Sequence, residues 1–191
     1  MWVLGSVLAA ICALVMAWVT RPRGNWSGGD AGRFCVAVIL LPASMLNGMA
    51  AGSDSAELNH ATQLLLQLTL YAGLPLLAAI VAAEQFGHFF SRLIWGRALL
   101  AICAVFALTR SGPYLHYWLF LVLAVALVGL LWGAWQRRSA CWLATPIWCG
   151  LLIGYWQFNI VSHSALWFWL AGSLLLLTLV RRAPETAEGQ P

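Results

Sequence analysis

The sequence contains no lysine and has few charged residues of either sign. Of its 191 residues, 8% are charged, and the ten cationic ones are all arginine. Soluble domains carry about 25% charged residues, whereas 62% of this chain is apolar and its mean hydropathy is +0.84. A soluble fold of this size would have too little polar material to cover its surface. The composition therefore excludes an ordinary soluble domain and predicts a membrane protein.

Several short motifs of enzymes and redox proteins are also absent. The chain has no glycine-rich phosphate loop, HExxH zinc helix, GxSxG elbow or CxxCH haem attachment, so we expect no nucleotide as a ligand. Its arginines occur singly or in pairs, without the basic stripe typical of nucleic-acid binding, so nucleic acid is not expected as a partner. No CxxC pair occurs among the five cysteines, and we expect no disulfide framework.

Seven long apolar runs follow one another along the chain. A run of about 17 to 25 apolar residues can cross the hydrocarbon layer as a helix. The runs are Trp2 to Thr20, Phe34 to Ala51, Ala61 to Ala83, Leu93 to Thr109, Tyr114 to Trp135, Cys141 to Trp156 and Ile160 to Val180. Short connections make consecutive helices antiparallel neighbours. The pattern predicts an all-α fold, a compact bundle of seven transmembrane helices over residues 1–182, followed by a disordered tail over residues 183–191.

The arginines indicate how this bundle is oriented. Eight of the ten lie after the first, third, fifth and seventh runs, and Arg97 lies near the start of the fourth run, on the same side. Only Arg110 lies on the opposite side. Arginine-rich short loops stay on the cytoplasmic face. We therefore expect a multi-pass protein of the cell inner membrane, with its N-terminus outside and its C-terminus in the cytoplasm. The layout resembles that of the microbial rhodopsins, but those bind retinal through a lysine, and a chain without lysine cannot.

A stripe of polar residues follows the start of the third helix. His60, Gln63, Gln67 and Tyr71 recur at steps of three and four residues, so a helix places them on one face. If the stripe faced lipid, its donors would be unpaired, and we therefore expect it to point into the bundle. Two interpretations remain open. The stripe forms hydrogen bonds between helices that fix their packing, or it lines a polar pocket for a ligand.

Three of the four histidines are predicted to lie at one membrane level. His60, His116 and His163 belong to the outer starts of the third, fifth and seventh helices. Imidazoles on three helices could hold a transition metal, and two facing histidines could ligate a b-type haem. The alternatives are a hydrogen-bonding pocket for a quinone or a lipid headgroup, and histidines that are simply tolerated at wet helix ends. The polar residues expected around such a site are Gln63, Gln67, Tyr71, Asn47 and Asn159.

Two function classes follow from these features. The small size and short loops favour a non-catalytic subunit or an assembly or accessory factor of a larger membrane complex, with the lipid bilayer and other membrane subunits as partners. The alternative is a metal-, haem- or quinone-binding protein, either redox-active or an outward-facing hydrolase, that acts through the outer histidines. A small channel or carrier is a weaker alternative. A carrier or channel that couples to protons or cations usually needs a carboxylate near the bilayer centre. In this sequence Asp54, Glu57 and Glu84 are predicted at loops or helix ends instead.

Overall fold

A computed structural model describes residues 2–22, 26–50, 52, 55–109, 115–136, 139–157 and 163–181, and it is all-helical over these ranges. The all-α fold class is therefore confirmed for the described residues, and each helix overlaps one of the apolar runs. The predicted tail, residues 183–191, lies outside the described residues. The helices in chain order are α1 (Trp2–Val19), α2 (Gly28–Ala50), α3 (Ala56–Gln85), α4 (Arg92–Thr109), α5 (Leu115–Trp135), α6 (Ser139–Gln157) and α7 (His163–Leu179).

Within the described residues, three helices are long and apolar enough to cross a membrane. They are α2, α3 and the part of α5 from Tyr117 to Trp135, while α1, α6 and α7 contribute shorter apolar stretches. Apolar side chains also cover much of the outside of the bundle, and exposed apolar surface on this scale is typical of membrane contact. Examples are Leu4, Ile11, Leu108, Phe120 and Leu143. These features support a membrane protein, whereas seven crossings and their orientation remain predictions.

The second half of α3, Leu74–Gln85, forms the centre of the bundle. Most of its side chains are buried, and it packs against α2, α4, α5 and α7. Around it, α1 packs on α2 and α7, and α6 packs on α5 and α7. Indole N–H groups join neighbouring helices, because Trp148 donates to the carbonyl oxygen of Leu123 at 3.5 Å and Trp169 donates to that of Leu151 at 2.8 Å. Consecutive helices thus share polar contacts as well as apolar ones.

A π-helical turn, Thr69–Gly73, interrupts α3, and all five of its residues are buried. Pro75 follows the turn and has no N–H to offer the carbonyl oxygen of Tyr71, four residues earlier. Trp118 of α5 donates its indole N–H to that oxygen at 3.2 Å. Because a π turn holds more residues than an α turn, it changes the rotational register between the two halves of α3.

The first turn of α2 lies where the sequence predicts a loop. The apolar run begins at Phe34, but α2 begins at Gly28. Ser27 Oγ accepts the backbone N–H of Asp30 at 3.0 Å, as a helix N-cap does, and the Asp30 carboxylate suits the positive end of the helix. The two adjacent glycines lower helix propensity, so the sequence alone favoured a loop, and the N-cap together with packing against α3 outweighs that preference.

Candidate functional site

A cluster of four charged side chains lies where α2 begins and α3 and α7 end. The four-charge cluster consists of Asp30, Arg33, Glu84 and Arg181. Its central pair is bidentate, because Arg33 Nη1 donates to Glu84 Oε1 and Arg33 Nη2 donates to Glu84 Oε2, each at 2.7 Å. The Arg33 side chain is 1% exposed and the Glu84 side chain is 6% exposed. This pair is therefore shielded from water. An ion pair that is exposed to water would contribute little to stability.

Asp30 connects the central pair to the end of α7. Its Oδ2 accepts a hydrogen bond from Arg181 Nη2 at 2.6 Å, and its Oδ1 lies 3.7 Å from Arg33 Nη1. Arg181 also donates to the carbonyl oxygen of Val19 at the end of α1, and Arg33 donates to that of Val180, both at 3.3 Å. Two positive and two negative charges therefore cancel, and the cluster joins α1, α2, α3 and α7 at one end of the bundle, which we call the arginine end.

Glycines on α2 make this close approach sterically allowed. A Cβ atom at Gly29 would collide with Glu84 Oε1 and lie 3.1 Å from Arg33 Nη1. A Cβ atom at Gly32 would collide with the Ile80 side chain of α3. The glycine-rich segment is thus a contact surface between helices, and larger residues there would push α2 away from the Glu84 carboxylate.

The chemistry of the cluster is that of a structural link. Both Glu84 oxygens accept hydrogen bonds from Arg33, and an arginine side chain does not lose its proton in proteins. Loss of one partner from a buried ion pair costs about 3–5 kcal/mol, because the other charge stays buried without compensation. Arg33 Nε and Asp30 Oδ1 have no hydrogen-bond partner within the described part of the chain. The geometry therefore favours a role in holding helices together over a role in proton transfer.

A small cavity of about 20 Å³ lies next to the cluster. A volume of this size holds about one water molecule, so it does not accommodate an organic substrate. His88 lies at this cavity, and because it follows the third apolar run it is on the side that the arginines predict to be cytoplasmic. A Cβ atom at Gly28 would collide with the carbonyl oxygen of Phe90. The residues that line the cavity are Ser27, Gly28, Gly29, Glu84, His88, Phe89, Phe90 and Trp95.

The predicted polar stripe of α3 does not lie on a single buried face. His60 and Gln63 are exposed, and Gln67 is half-buried, so the expectation that the whole stripe points into the bundle is wrong at its first two residues. The physical reason is that Thr62 and Leu66 form the buried face of this half of α3. That face lies about 100° around the helix from the stripe, which is one residue of rotation.

The inner part of the stripe has different surroundings. Gln67 Oε1 is enclosed and has no hydrogen-bond partner within the described residues. Tyr71 lies in the π turn, where it is buried and its ring stacks on Phe106 of α4 with centroids 5.6 Å apart. All five residues of the π turn are buried, so Tyr71 is enclosed by neighbouring helices, whereas Gln63, about two turns earlier, is exposed.

The structure describes only one of the two asparagines that are predicted near the site. Asn47 is buried on α2, and its Nδ2 donates to Ser6 Oγ of α1 at 2.6 Å. This hydrogen bond between helices satisfies the buried amide. A role of Asn47 in a ligand pocket remains a prediction. Asn159 lies outside the described residues.

The predicted histidine cluster remains a prediction. His60 is exposed on α3, whereas the side chains of His116 on α5 and His163 on α7 lie outside the description. Among the described residues, no group of three or more histidine, cysteine or acidic side chains is placed to hold a metal ion. Because only one of the three histidine side chains is described, a metal or haem site at this end has no described geometry.

Sequence reasoning missed the Arg33–Glu84 pair, although a signal for it was present. In the sequence, Arg33 indicates only the orientation of the bundle, and Glu84 is predicted only to lie at a helix end, away from the bilayer centre. Because α2 starts and α3 ends on the same predicted side of the membrane, the two opposite charges share one level. The histidines were grouped because they share one predicted depth in the membrane. The same criterion would also have paired Arg33 with Glu84.

Comparison of the chain with protein-family models, with curated proteins and with solved structures found no match.

Proposed function

We propose that the chain is an inner-membrane protein of seven transmembrane helices that serves as a non-catalytic subunit or assembly factor of a larger membrane complex. In this proposal the arginine end is cytoplasmic, the N-terminus is outside and the C-terminus is inside. The orientation is supported by the contacts of Arg33, Arg92 and Arg181, because these arginines meet residues at the end of α1, at or next to the start of α2, or just after α7. Arginines concentrated at one end of a bundle favour the cytoplasmic side.

The observation that carries the subunit role is the exposed amide of Gln63. It lies on α3, which is long and apolar enough to span a membrane. Hydrocarbon offers no hydrogen-bond partner to a side-chain amide, so exposure of an amide to lipid is unfavourable. A helix of another subunit that carries a polar side chain would satisfy it, since polar residues join helices within membranes. Gln63 is therefore proposed to contact a partner subunit.

A co-purification experiment tests this role. The tagged chain, extracted in a mild detergent, is expected to carry a second membrane subunit at fixed stoichiometry. Gln63→Leu removes the amide and should release the partner, whereas Gln63→Asn keeps an amide and should retain much of it. Both variants should unfold at the same temperature as the purified wild-type chain, because the side chain is exposed. A wild-type chain that purifies alone, or a Gln63→Leu variant that keeps its partner, contradicts the proposal.

The second candidate is a metal, haem or quinone site at the end where α3 begins. The observation that favours it is Gln67 Oε1, an enclosed acceptor with no hydrogen-bond partner among the described residues. A bound quinol or a metal-bound water could donate a hydrogen to such an acceptor. His60, His116 and His163 are the ligands proposed for a metal or haem.

Metal analysis and a visible spectrum of the purified protein distinguish this candidate. If three histidines hold one ion, each single His→Ala variant and the triple variant should lose nearly the same amount of metal or Soret absorbance, with non-additive losses of stability. His88→Ala is the matched control, because His88 lies at the arginine end. Wild-type protein without stoichiometric metal or haem excludes the metal and haem forms of the site.

A further inference from the structure

The arginine end carries positive charge that its own carboxylates do not compensate. Asp30 and Glu84 are the carboxylates described there, and both are already in ion pairs with Arg33 or Arg181. Arg21, Arg92 and Arg97 are exposed and form no ion pair with a described residue. The buried cluster is neutral, so these three arginines leave a net positive surface around it.

Two of the three exposed arginines are held against tryptophan rings. The guanidinium carbon of Arg21 lies 4.2 Å from the ring centroid of Trp18, and that of Arg92 lies 5.1 Å from the ring centroid of Trp26. Such cation–π contacts orient the guanidinium plane. We call these four residues, Trp18, Arg21, Trp26 and Arg92, the arginine–tryptophan patch.

Hydrogen bonds fix the position of the Trp26 side chain within the patch. Its indole Nε1 donates to the carbonyl oxygen of Thr20 at 2.9 Å, and its own carbonyl oxygen accepts from Arg92 Nη2 at 3.2 Å. The ring also meets Phe34 edge-on, with centroids 5.9 Å apart. Trp26 therefore connects the end of α1, the start of α2 and the start of α4, and it brings Arg92 close to the residue that precedes Arg21.

We propose that the arginine–tryptophan patch binds the phosphate group of an anionic phospholipid. A planar guanidinium offers two parallel N–H donors that match a phosphate, and a fixed guanidinium loses little freedom on binding. Arg92 donates from one terminal nitrogen to the Trp26 carbonyl oxygen, and among the described residues its other donors have no hydrogen-bond partner, so they can meet a ligand. The inference rests on the membrane location in the proposed function, but it does not depend on a partner subunit.

The surface beside the patch favours a lipid over a free phosphate ion. Leu14 and Trp18 are 56% and 65% exposed, and they lie four residues apart on one face of α1, with Arg21 just beyond the helix end. A phospholipid can place its acyl chain along Leu14 and its phosphate at Arg21. Tryptophan is also enriched at headgroup depth, and basic pockets at helix ends recognise anionic headgroups.

Native mass spectrometry of the full chain in detergent tests the proposal, with equimolar phosphatidylglycerol and phosphatidylcholine as probes. The wild type should retain phosphatidylglycerol in preference to phosphatidylcholine. Arg92→Gln and Arg21→Gln should each lower that retention about tenfold, the effect expected for loss of a charge-assisted hydrogen bond to the phosphate. Arg97→Gln is the matched control, because Arg97 is equally exposed but has no described aromatic partner, and it should change retention by less than about twofold.

Three outcomes would overturn the proposal. Equal retention of the two lipids by the wild type excludes a headgroup site. Equal losses for Arg92→Gln and Arg97→Gln would mean that only the general positive charge attracts the lipid. Displacement of phosphatidylglycerol by excess inorganic phosphate would assign the site to the free ion. Circular dichroism of each variant in detergent without anionic lipid should match the wild type, which separates loss of binding from loss of fold, and neither measurement depends on co-purification of a subunit.

Discussion

The two ends of α3 use their polar residues in opposite ways. At the arginine end, Arg33 and Glu84 are buried and satisfy one another across two helices. Where α3 begins, His60 and Gln63 are exposed on the surface of a helix that is long enough to span a membrane. The first arrangement needs no partner to be stable, whereas the second leaves hydrogen-bonding groups for something outside the chain. The comparison indicates that the end of α3 helps to hold the bundle together, whereas its start is the part of α3 that we propose to contact a partner subunit.

The largest expected effect comes from breaking the central ion pair. Glu84→Ala leaves the Arg33 charge buried without a counter-charge, so we expect the free energy of unfolding to fall by about 3–5 kcal/mol. Unfolding of the detergent-solubilised protein by a denaturing detergent measures this loss. The double variant Arg33→Met with Glu84→Leu removes both charges and should recover much of it. A loss below about 1 kcal/mol for Glu84→Ala would mean that the pair is solvated and that the two ends do not differ in this respect.

A smaller effect is expected from glycine substitutions that test the close helix contact. Gly29→Ala places a Cβ atom against Glu84 Oε1, and overpacking of this kind costs about 1–3 kcal/mol. Gly150→Ala is the matched control on α6, because a Cβ atom there meets nothing within 4 Å. The control should be stabilised by about 0.5–1 kcal/mol through helix propensity. Equal effects of the two substitutions on unfolding would contradict the steric role of Gly29.

The most exposed member of the four-charge cluster should contribute less to stability than the central pair. Arg181 has a side chain that is 39% exposed, so water screens its ion pair with Asp30. We expect Arg181→Gln to lower the free energy of unfolding by about 1 kcal/mol or less. The same unfolding assay gives the value, and added salt should reduce the difference from the wild type. A loss as large as that of Glu84→Ala would show that the pair is effectively buried.

The smallest effects on the stability of the isolated chain are expected where α3 begins. Gln63 is exposed, and Gln67 Oε1 has no partner among the described residues. Gln63→Leu should therefore change the free energy of unfolding by less than about 0.5 kcal/mol, and Gln67→Leu should be neutral or stabilising, because it removes an unpaired buried acceptor. Losses of about 0.6–2 kcal/mol would instead indicate hydrogen bonds between helices, and the contrast between the two ends would then fail.

Much of the helical architecture follows from the sequence, because apolar runs of membrane length leave the chain few alternatives to helix. The start of α2 did not follow, since Gly28 and Gly29 lower helix propensity. The N-cap at Ser27 and the close approach of the two glycines to Phe90 and Glu84 outweigh that preference. The π turn at Thr69–Gly73 was also missed, because a proline such as Pro75 predicts a disturbed helix without specifying its form. The exposure of His60 and Gln63 has a different reason, since both precede this turn: the sequence does not say which face of α3 the neighbouring helices cover.

The candidate site was predicted less well than the fold. Histidines and amides on a helix attract attention because they are rare in membranes, but rarity does not determine which way a side chain points. His60 and Gln63 are exposed, so their importance depends on what contacts the surface. The Arg33–Glu84 pair could have been predicted from charge and level alone, since a buried ion requires a counter-ion nearby.

Labelling of single cysteines in intact cells tests the central claim most directly, which is that seven helices cross the membrane with the arginine end in the cytoplasm. In a background without the native cysteines, Ser55→Cys and Ser111→Cys should react with a membrane-impermeant thiol reagent added outside. Ser139→Cys should react only after the membrane is permeabilised. Labelling of Ser139→Cys in intact cells, or protection of Ser55→Cys and Ser111→Cys, would contradict the orientation and with it the outer level proposed for the three histidines.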